Sequence, residues 1–288
     1  MKKTIFLLLF SLLLFSGCKV FQKTNRITVS CAGYSSFQIT QNLIEGIKEL
    51  NINFIDDTEL SFIPSKDQIN QIISSSLFIF SNQKWISKEI LSFPQKNLDL
   101  SKHLKNSKLC EEDFFSIAEF KKEAAIIYEN LRLLLPSHSE KFDANYQIFL
   151  QNADYYEREY KKLSESIEMP LVIFDRNPYK KLFSDFSIPF ESLDKKNSNE
   201  KSQRFTYYEK SLLFNFIKTN RINCIYILKD CKETKQELKE KLKNEQLEIK
   251  ILPAISFNES KENAYFSLHE KIISTLKPEY LKQSVKKN

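Results

Sequence analysis

The stretch SEKFDANYQIFLQNADYYEREYKKLSESI, residues 139–167, decides the fold. Phe142, Tyr146, Phe149, Ala153, Tyr156, Tyr160 and Leu163 recur at threes and fours, which places them on one apolar stripe of a helix. At 1.5 Å per residue that helix is roughly 40 Å long, enough to cross a domain. A coiled-coil dimerisation helix would need a sustained heptad, and none is present. An intramolecular strut is expected. Pro136 and Ser137 separate it from a second helical stretch, Ala118–Leu135, and Ser139 is a candidate cap.

On both sides of this strut the period changes. Short runs rich in Ile, Val and Phe alternate with helix-period segments, which argues for parallel α/β structure. Before it the candidate strands are Ile27–Cys31, Ile52–Ile55, Leu77–Phe80 and Asn97–Leu100, with helices near Phe37–Leu50, Pro64–Ser74 and Trp85–Leu91. Pro64 suits a first-turn position, where its missing N–H costs nothing. After it the strands are Leu171–Phe174, Ile188–Glu191, Cys224–Leu228 and Ile249–Leu252. The matching helices are Tyr179–Phe186, Phe205–Thr219, Glu233–Asn244 and Lys261–Leu276, and the polar stretch Asp194–Gln203 reads as a loop. The expected architecture is α/β: two lobes, each a mainly parallel four-stranded sheet flanked by helices, joined by a long rigid helix. The expected boundaries are a signal peptide over 1–17, an N-terminal lobe over 18–138, the linking helix over 139–167 and a C-terminal lobe over 168–288. No sequence repeat relates the halves, so their likeness lies in element order.

Parallel sheets bind ligands beyond the carboxyl ends of their strands. That rule nominates Ala32-Gly33-Tyr34-Ser35, Asp56-Asp57-Thr58-Glu59, Ser81-Asn82, Asp175-Arg176-Asn177, Lys229-Asp230 and Pro253-Ala254. If the halves face each other, these residues line the crevice between them.

The N-terminal end reads as a targeting segment. Lys2 and Lys3 form a basic start, Ile5 to Phe15 is apolar but for Ser11, and Ser16-Gly17 are small. The run is short of the roughly 20 apolar residues that span a bilayer, which disfavours an uncleaved anchor. Leu14-Phe15-Ser16-Gly17-Cys18 resembles the bacterial lipoprotein box, with Phe15 where Leu is usual. That resemblance implies diacylglycerol on Cys18, cleavage before it, and a lipid-anchored protein of the bacterial envelope, on the periplasmic face or the cell surface. Each buried acyl CH₂ contributes about 0.8 kcal/mol, so two or three chains hold firmly.

Cleavage there removes Lys2 and Lys3 and no acid, taking the formal charge from +6 to +4. Lys and Glu are interspersed, with Glu237 and Lys241 at the favourable i, i+4 spacing, and no basic stripe suited to nucleic acid is legible. Glycine occurs at 17, 33 and 46 only, so no phosphate-cradling loop exists, and neither HExxH nor a nucleophile elbow is present. An enzyme is not expected. Cys31, Cys110, Cys224 and Cys231 follow Cys18 without a CxxC pair. An even number in an exported chain permits disulfides. Cys31 and Cys224 lie in apolar runs that favour buried thiols, and the connectivity stays open.

Taken in order, several segments resemble the solute-binding lipoproteins of zinc and manganese ABC transporters. Ile27-Thr28-Val29-Ser30 resembles the family's opening strand. Phe62-Ile63-Pro64-Ser65, then Leu77-Phe78-Ile79-Phe80-Ser81-Asn82 with Trp85, resembles its Pro-Ser segment and next strand. Leu98-Asp99-Leu100-Ser101 resembles the strand before its variable loop, Ser139 to Ile167 its linking helix, and Phe205 to Asp230 with Tyr265 to Leu276 its second lobe. The resemblance implies a monomeric receptor that captures one divalent metal ion between its lobes, moves little about the linking helix, and docks on an ABC permease.

The family's usual three His and one carboxylate are missing. The resemblance places the first His at about Thr58, the second near Ser116, the third near Arg176 and the carboxylate around Pro253 to Ile255. His103, His138 and His269 lie elsewhere, and each reads as structural: a loop residue, a residue at a helical break, and a member of the last helix. Candidate cleft residues are therefore Asp57, Thr58, Glu59, Ser116, Asp175, Arg176 and Asp230. Converging carboxylates among them suit a hard cation such as Mn²⁺, Mg²⁺ or Ca²⁺. Arg176 and Lys229 point instead to ion pairs, or to an anionic solute gripped by the guanidinium. A receptor fold that has lost its ligand and serves as a structural or partner-binding lipoprotein is the third reading.

Overall fold

The computed structural model describes residues 26–56, 62–81, 85–104, 116–167, 169–173, 178–192, 207–228, 240, 248–253 and 264–285. Two separate parallel sheets are present. The first holds β1 (Ile27–Ala32), β2 (Leu50–Ile55), β3 (Leu77–Phe80) and β4 (Asn97–Asp99) in the order β2-β1-β3-β4. The second holds β5 (Leu171–Ile173), β6 (Phe190–Ser192), β7 (Cys224–Leu228) and β8 (Glu248–Leu252) in the order β6-β5-β7-β8. Both halves thus run second, first, third, fourth. The central strands β3, β5 and β7 are buried throughout, as strands covered on both faces must be, whereas β4, β6 and β8 mix exposed and buried positions at the edges.

The helices are α1 (Tyr34–Leu43), α2 (Lys66–Ile73), α3 (Lys88–Leu91), α4 (Ile117–Leu134), α5 (Ser139–Ser166), α6 (Lys180–Asp185), α7 (Tyr207–Thr219) and α8 (Ala264–Val285). The 28-residue α5 is the expected strut, and Phe142, Phe149, Ala153, Tyr160 and Leu163 of its stripe are buried. Tyr146 and Tyr156 are half-buried, and the polar Asn145 and Glu159 take buried places instead. Glu159 is held by Lys162 and Lys277 of α8 at 2.8 and 2.6 Å, and these bonds bring its carboxyl down to about 2.

Several local expectations need correction. Pro64 lies outside α2, because Ser65 is the cap: its hydroxyl accepts from the Gln68 N–H while the Gln68 side chain accepts from the Ser65 N–H. Ser139 does not cap α5; its hydroxyl donates back to the Pro136 carbonyl at 2.8 Å, and His138 stands at the cap position without a capping bond. His138 instead meets Glu49 at 3.2 Å. α1 begins three residues early and stops at Leu43 rather than Leu50, since the chain turns at Gly46 with φ +77°. A side chain there would be strained, and its Cβ would meet Lys141 of α5 at 3.2 Å. α8 runs on to Val285 through Pro278, which costs only one N–H. The Asp194–Gln203 loop and nearly all of the Glu233–Asn244 helix lie outside the described residues.

One apolar core runs through both halves. It joins Val29, Ile79 and Leu98 of the first sheet to Ile173, Tyr226 and Leu252 of the second by way of Phe120, Phe149, Tyr160 and Tyr265. Smaller clusters close the outer faces, Ile72 with Phe78 and Phe80 on one side and Leu213 with Ile217 and Ile225 on the other. A shared core through α4, α5 and α8 leaves little room for hinge motion, because packed interiors resist continuous deformation.

Asn145 fastens α5 to the first half: its amide donates to the carbonyls of Leu43 and Glu45, each at 2.9 Å. These are carbonyls at and beyond the end of α1, left without helical partners. Asn145→Ala is expected to lower stability by about 1–3 kcal/mol through buried acceptors left unmet, read as a lower urea midpoint with unchanged slope.

Candidate functional site

The crevice is bounded at its base by one face of α4. Ser116, which caps that helix by accepting from the Glu119 N–H at 3.3 Å, is followed by Phe120, Glu123 and Ile127. Spacings of four, three and four keep them on one side, and all four are buried. Each of the first three reaches a different element. Ser116 donates its hydroxyl to Asp185 at the end of α6, at 2.6 Å. Phe120 stacks on Tyr265 of α8 with ring centroids 3.5 Å apart. Glu123 accepts from the Ser35 hydroxyl in the first turn of α1, at 2.6 Å.

Gly33 makes the last of these possible. It links β1 to α1 with φ +97° and ψ 139°, a conformation open to glycine alone, and so aims Tyr34 and Ser35 into the crevice mouth. This is the switch point of the first sheet, where β1 and β3 lie side by side and their connections diverge.

Tyr265 sits between the two acids. Burial first, then the fields of Tyr160, Glu123, Asp185 and Glu157, push its phenol well above the ordinary range. Tyr179 of the second half is also buried, which raises its phenol, and its hydroxyl donates to the Pro253 carbonyl just beyond β8. Lys181 pairs with the second oxygen of Asp185 one turn along α6. Oxygen donors therefore line the described part of the crevice, and they are engaged with one another.

The predicted site residues divide sharply. Ser116 lies where the resemblance would put a metal-binding His, and the structure brings it to Asp185 across the crevice. Asp57, Thr58, Glu59, Asp175, Arg176 and Asp230 lie outside the described residues, as does Cys18. Glu123, Asp185 and Tyr265 were missed by sequence reasoning. A usable signal existed for Glu123: an acid seven residues after Ser116, on the buried stripe of α4. Nothing comparable marked Asp185. Among the described residues no group of three or more His, Cys, Asp or Glu is placed to hold a metal ion.

The histidines and thiols are structural. His269 is fully buried in α8, with Nδ1 sharing a hydrogen with the Tyr160 hydroxyl at 2.9 Å, and burial takes its imidazole down to about 3. His103 is exposed after the short helical turn Leu100–Lys102. Cys31 and Cys224 are buried as expected; the Cys31 thiol donates to Thr40 at 3.4 Å and burial pushes it up to about 12, so it stays protonated and inert. Cys110 and Cys231 lie outside the described residues.

No family model matches the sequence, and comparison with curated proteins finds no match. Solved structures do match. The metal-dependent lipoprotein YcdH from Bacillus subtilis superposes with a TM-score of 0.67 at 13% identity, over 88% of this chain and 98% of that one. The Zn(II)-bound ZnuA-like domain of Streptococcus pneumoniae AdcA gives 0.66 at 16% identity over 88% and 98%. The periplasmic zinc-binding protein TroA from Treponema pallidum gives 0.65 at 14% identity over 87% and 99%. The chain therefore has the two-lobe fold of the metal-type solute-binding lipoproteins, the fold its sequence resembles. Such neighbours are binding proteins rather than enzymes. Among the described residues no helix is long and apolar enough to cross a membrane.

Proposed function

We propose that this chain is the solute-binding component of an ABC importer, monomeric, tethered to the bacterial envelope by lipid on Cys18, with a metal ion as its cargo. The observation that carries the reading is the pair of like-ordered parallel sheets bridged by α5, a plan shared with metal-binding lipoproteins over nearly their whole length. Capture would occur at the crevice, with α5 and the shared core limiting movement, followed by docking on a permease.

The donor set supports a hard cation rather than an imidazole-bound zinc. By sequence, Asp57, Asp175 and Asp230 each stand two residues past the ends of β2, β5 and β7, at Ile55, Ile173 and Leu228. Carboxylates and hydroxyls suit Mn²⁺, Mg²⁺ or Ca²⁺. The proposed lobe boundaries, 18–138 and 168–288 about the helix, follow from the same plan. Titration calorimetry on the mature domain tests the cargo. Saturable heat with manganese or iron(II), or with zinc, is expected, and flat heats for all three would remove the metal claim.

One observation favours a second reading. Ser116, at a ligand position, is already bonded to Asp185. A receptor fold turned to partner binding would show such self-satisfaction, and Arg176 would then hold an anion or an acidic partner. Arg176→Ala abolishing retention of an anionic solute, with the fold intact, would decide for that alternative.

A further inference from the structure

The bond between Ser116 and Asp185 joins the two halves over a sequence separation of 69 residues. It has the features of a strong contact. The acceptor is a carboxylate, the donor a hydroxyl with no exposed surface, and the separation is 2.6 Å. Lys181 occupies Oδ1 of the same carboxylate and so leaves Oδ2 turned to Ser116.

Two further facts indicate that the acid is placed for the other half rather than for its own helix. Asp185 is the last residue of α6, where the helix dipole disfavours negative charge. Ser116 already fulfils a local task as the cap of α4, and that task needs no partner across the crevice. Neither side chain needs the other for its own helix; the bond serves the contact between halves.

We propose that Ser116 and Asp185 form a latch that holds the crevice closed without any solute, at the position from which a ligand side chain would otherwise reach a bound ion. Opening the crevice then means breaking this bond, and Lys181 steadies the acid in its latched orientation. The inference stands on the coordinates of the two halves alone, so it survives or fails independently of the importer reading.

Hydrogen–deuterium exchange on the mature, solute-free protein tests it, because the readout lies in the half that was not altered. Asp185→Asn is expected to speed exchange across residues 117–123 of α4 by roughly 10- to 100-fold, the range of a hydrogen bond to a charged group. Ser116→Gly, which retains most capping energy, is expected to speed exchange across residues 183–188 by a similar factor. The double variant should add little to either. Folded variants in which each change stays within its own half would overturn the latch. So would slower exchange in α6 of Asp185→Asn with α4 unaltered, since that is the outcome of relieving the helix dipole alone.

Discussion

Phe120→Ala is expected to destabilise the protein by about 3–5 kcal/mol, the range for truncating a buried phenylalanine whose site cannot collapse. The ring has no room to be replaced by water. It stacks on Tyr265 at 3.5 Å, tilts against Phe149 at 5.4 Å and meets the edge of Phe266 at 6.4 Å. Tyr265 and Phe266 belong to the second half, Phe120 to the first, and Phe149 to the helix between them. Removing one ring therefore opens a cavity where all three parts meet. Equilibrium unfolding in urea should show a single transition moved to a much lower midpoint, or two transitions as the halves uncouple. A loss under about 1 kcal/mol would mean the seam is loosely packed and the core is not shared.

Stability should also fall steeply with acid between pH 6.5 and 4.5, by about 2 kcal/mol, through His269 alone. The sign follows from its environment. Burial among Tyr156, Tyr160 and Tyr265 keeps the imidazole neutral down to about 3, against 6.5 when exposed. Below 6.5 the unfolded chain takes up a proton that the folded chain refuses, so stability present above that value is lost as pH falls toward 3. The charged groups nearest this cluster, Glu123, Asp185 and Glu157, act on Tyr265 and do not rescue the imidazolium. Glu159, lowered to about 2 by Lys162 and Lys277, adds a loss in the same direction only below the carboxylate value of 4.5. Denaturant midpoints measured at several pH values should therefore flatten between 6.5 and 4.5 in His269→Phe. Its baseline will be lower, because the Tyr160 hydroxyl loses its partner. An unchanged acid slope would show that His269 is not the group responsible.

Periodicity carried most of the fold into view. Leu77–Phe80 and Cys224–Leu228 are strands to the residue because they are buried on both faces and hence apolar throughout. α5 was legible because its stripe must pack continuously against two sheets. Boundaries slipped where a side-chain bond rather than burial sets them, as at Ser65 and at the turn through Gly46. The site was less legible for a related reason. Ser116 emerged from the spacing of segments, but its partner Asp185 sits on a six-residue helix whose sequence, KKLFSD, has nothing to mark it as facing the other half. Contacts between distant elements leave no period in the chain. Buried polar residues on an apolar stripe, Asn145 and Glu123, are the nearest thing to such a mark, and both fasten separate elements together.

The receptor account is tested most directly by native mass spectrometry of the mature protein, purified without chelators or denaturants. The expected result is a single population heavier than the polypeptide by one small solute, an ion if the cargo is metal, and reduced to the bare mass by harsher ionisation. Only the bare mass, from cells grown with ample metals and nutrients, would contradict it and leave a two-lobe scaffold that carries nothing.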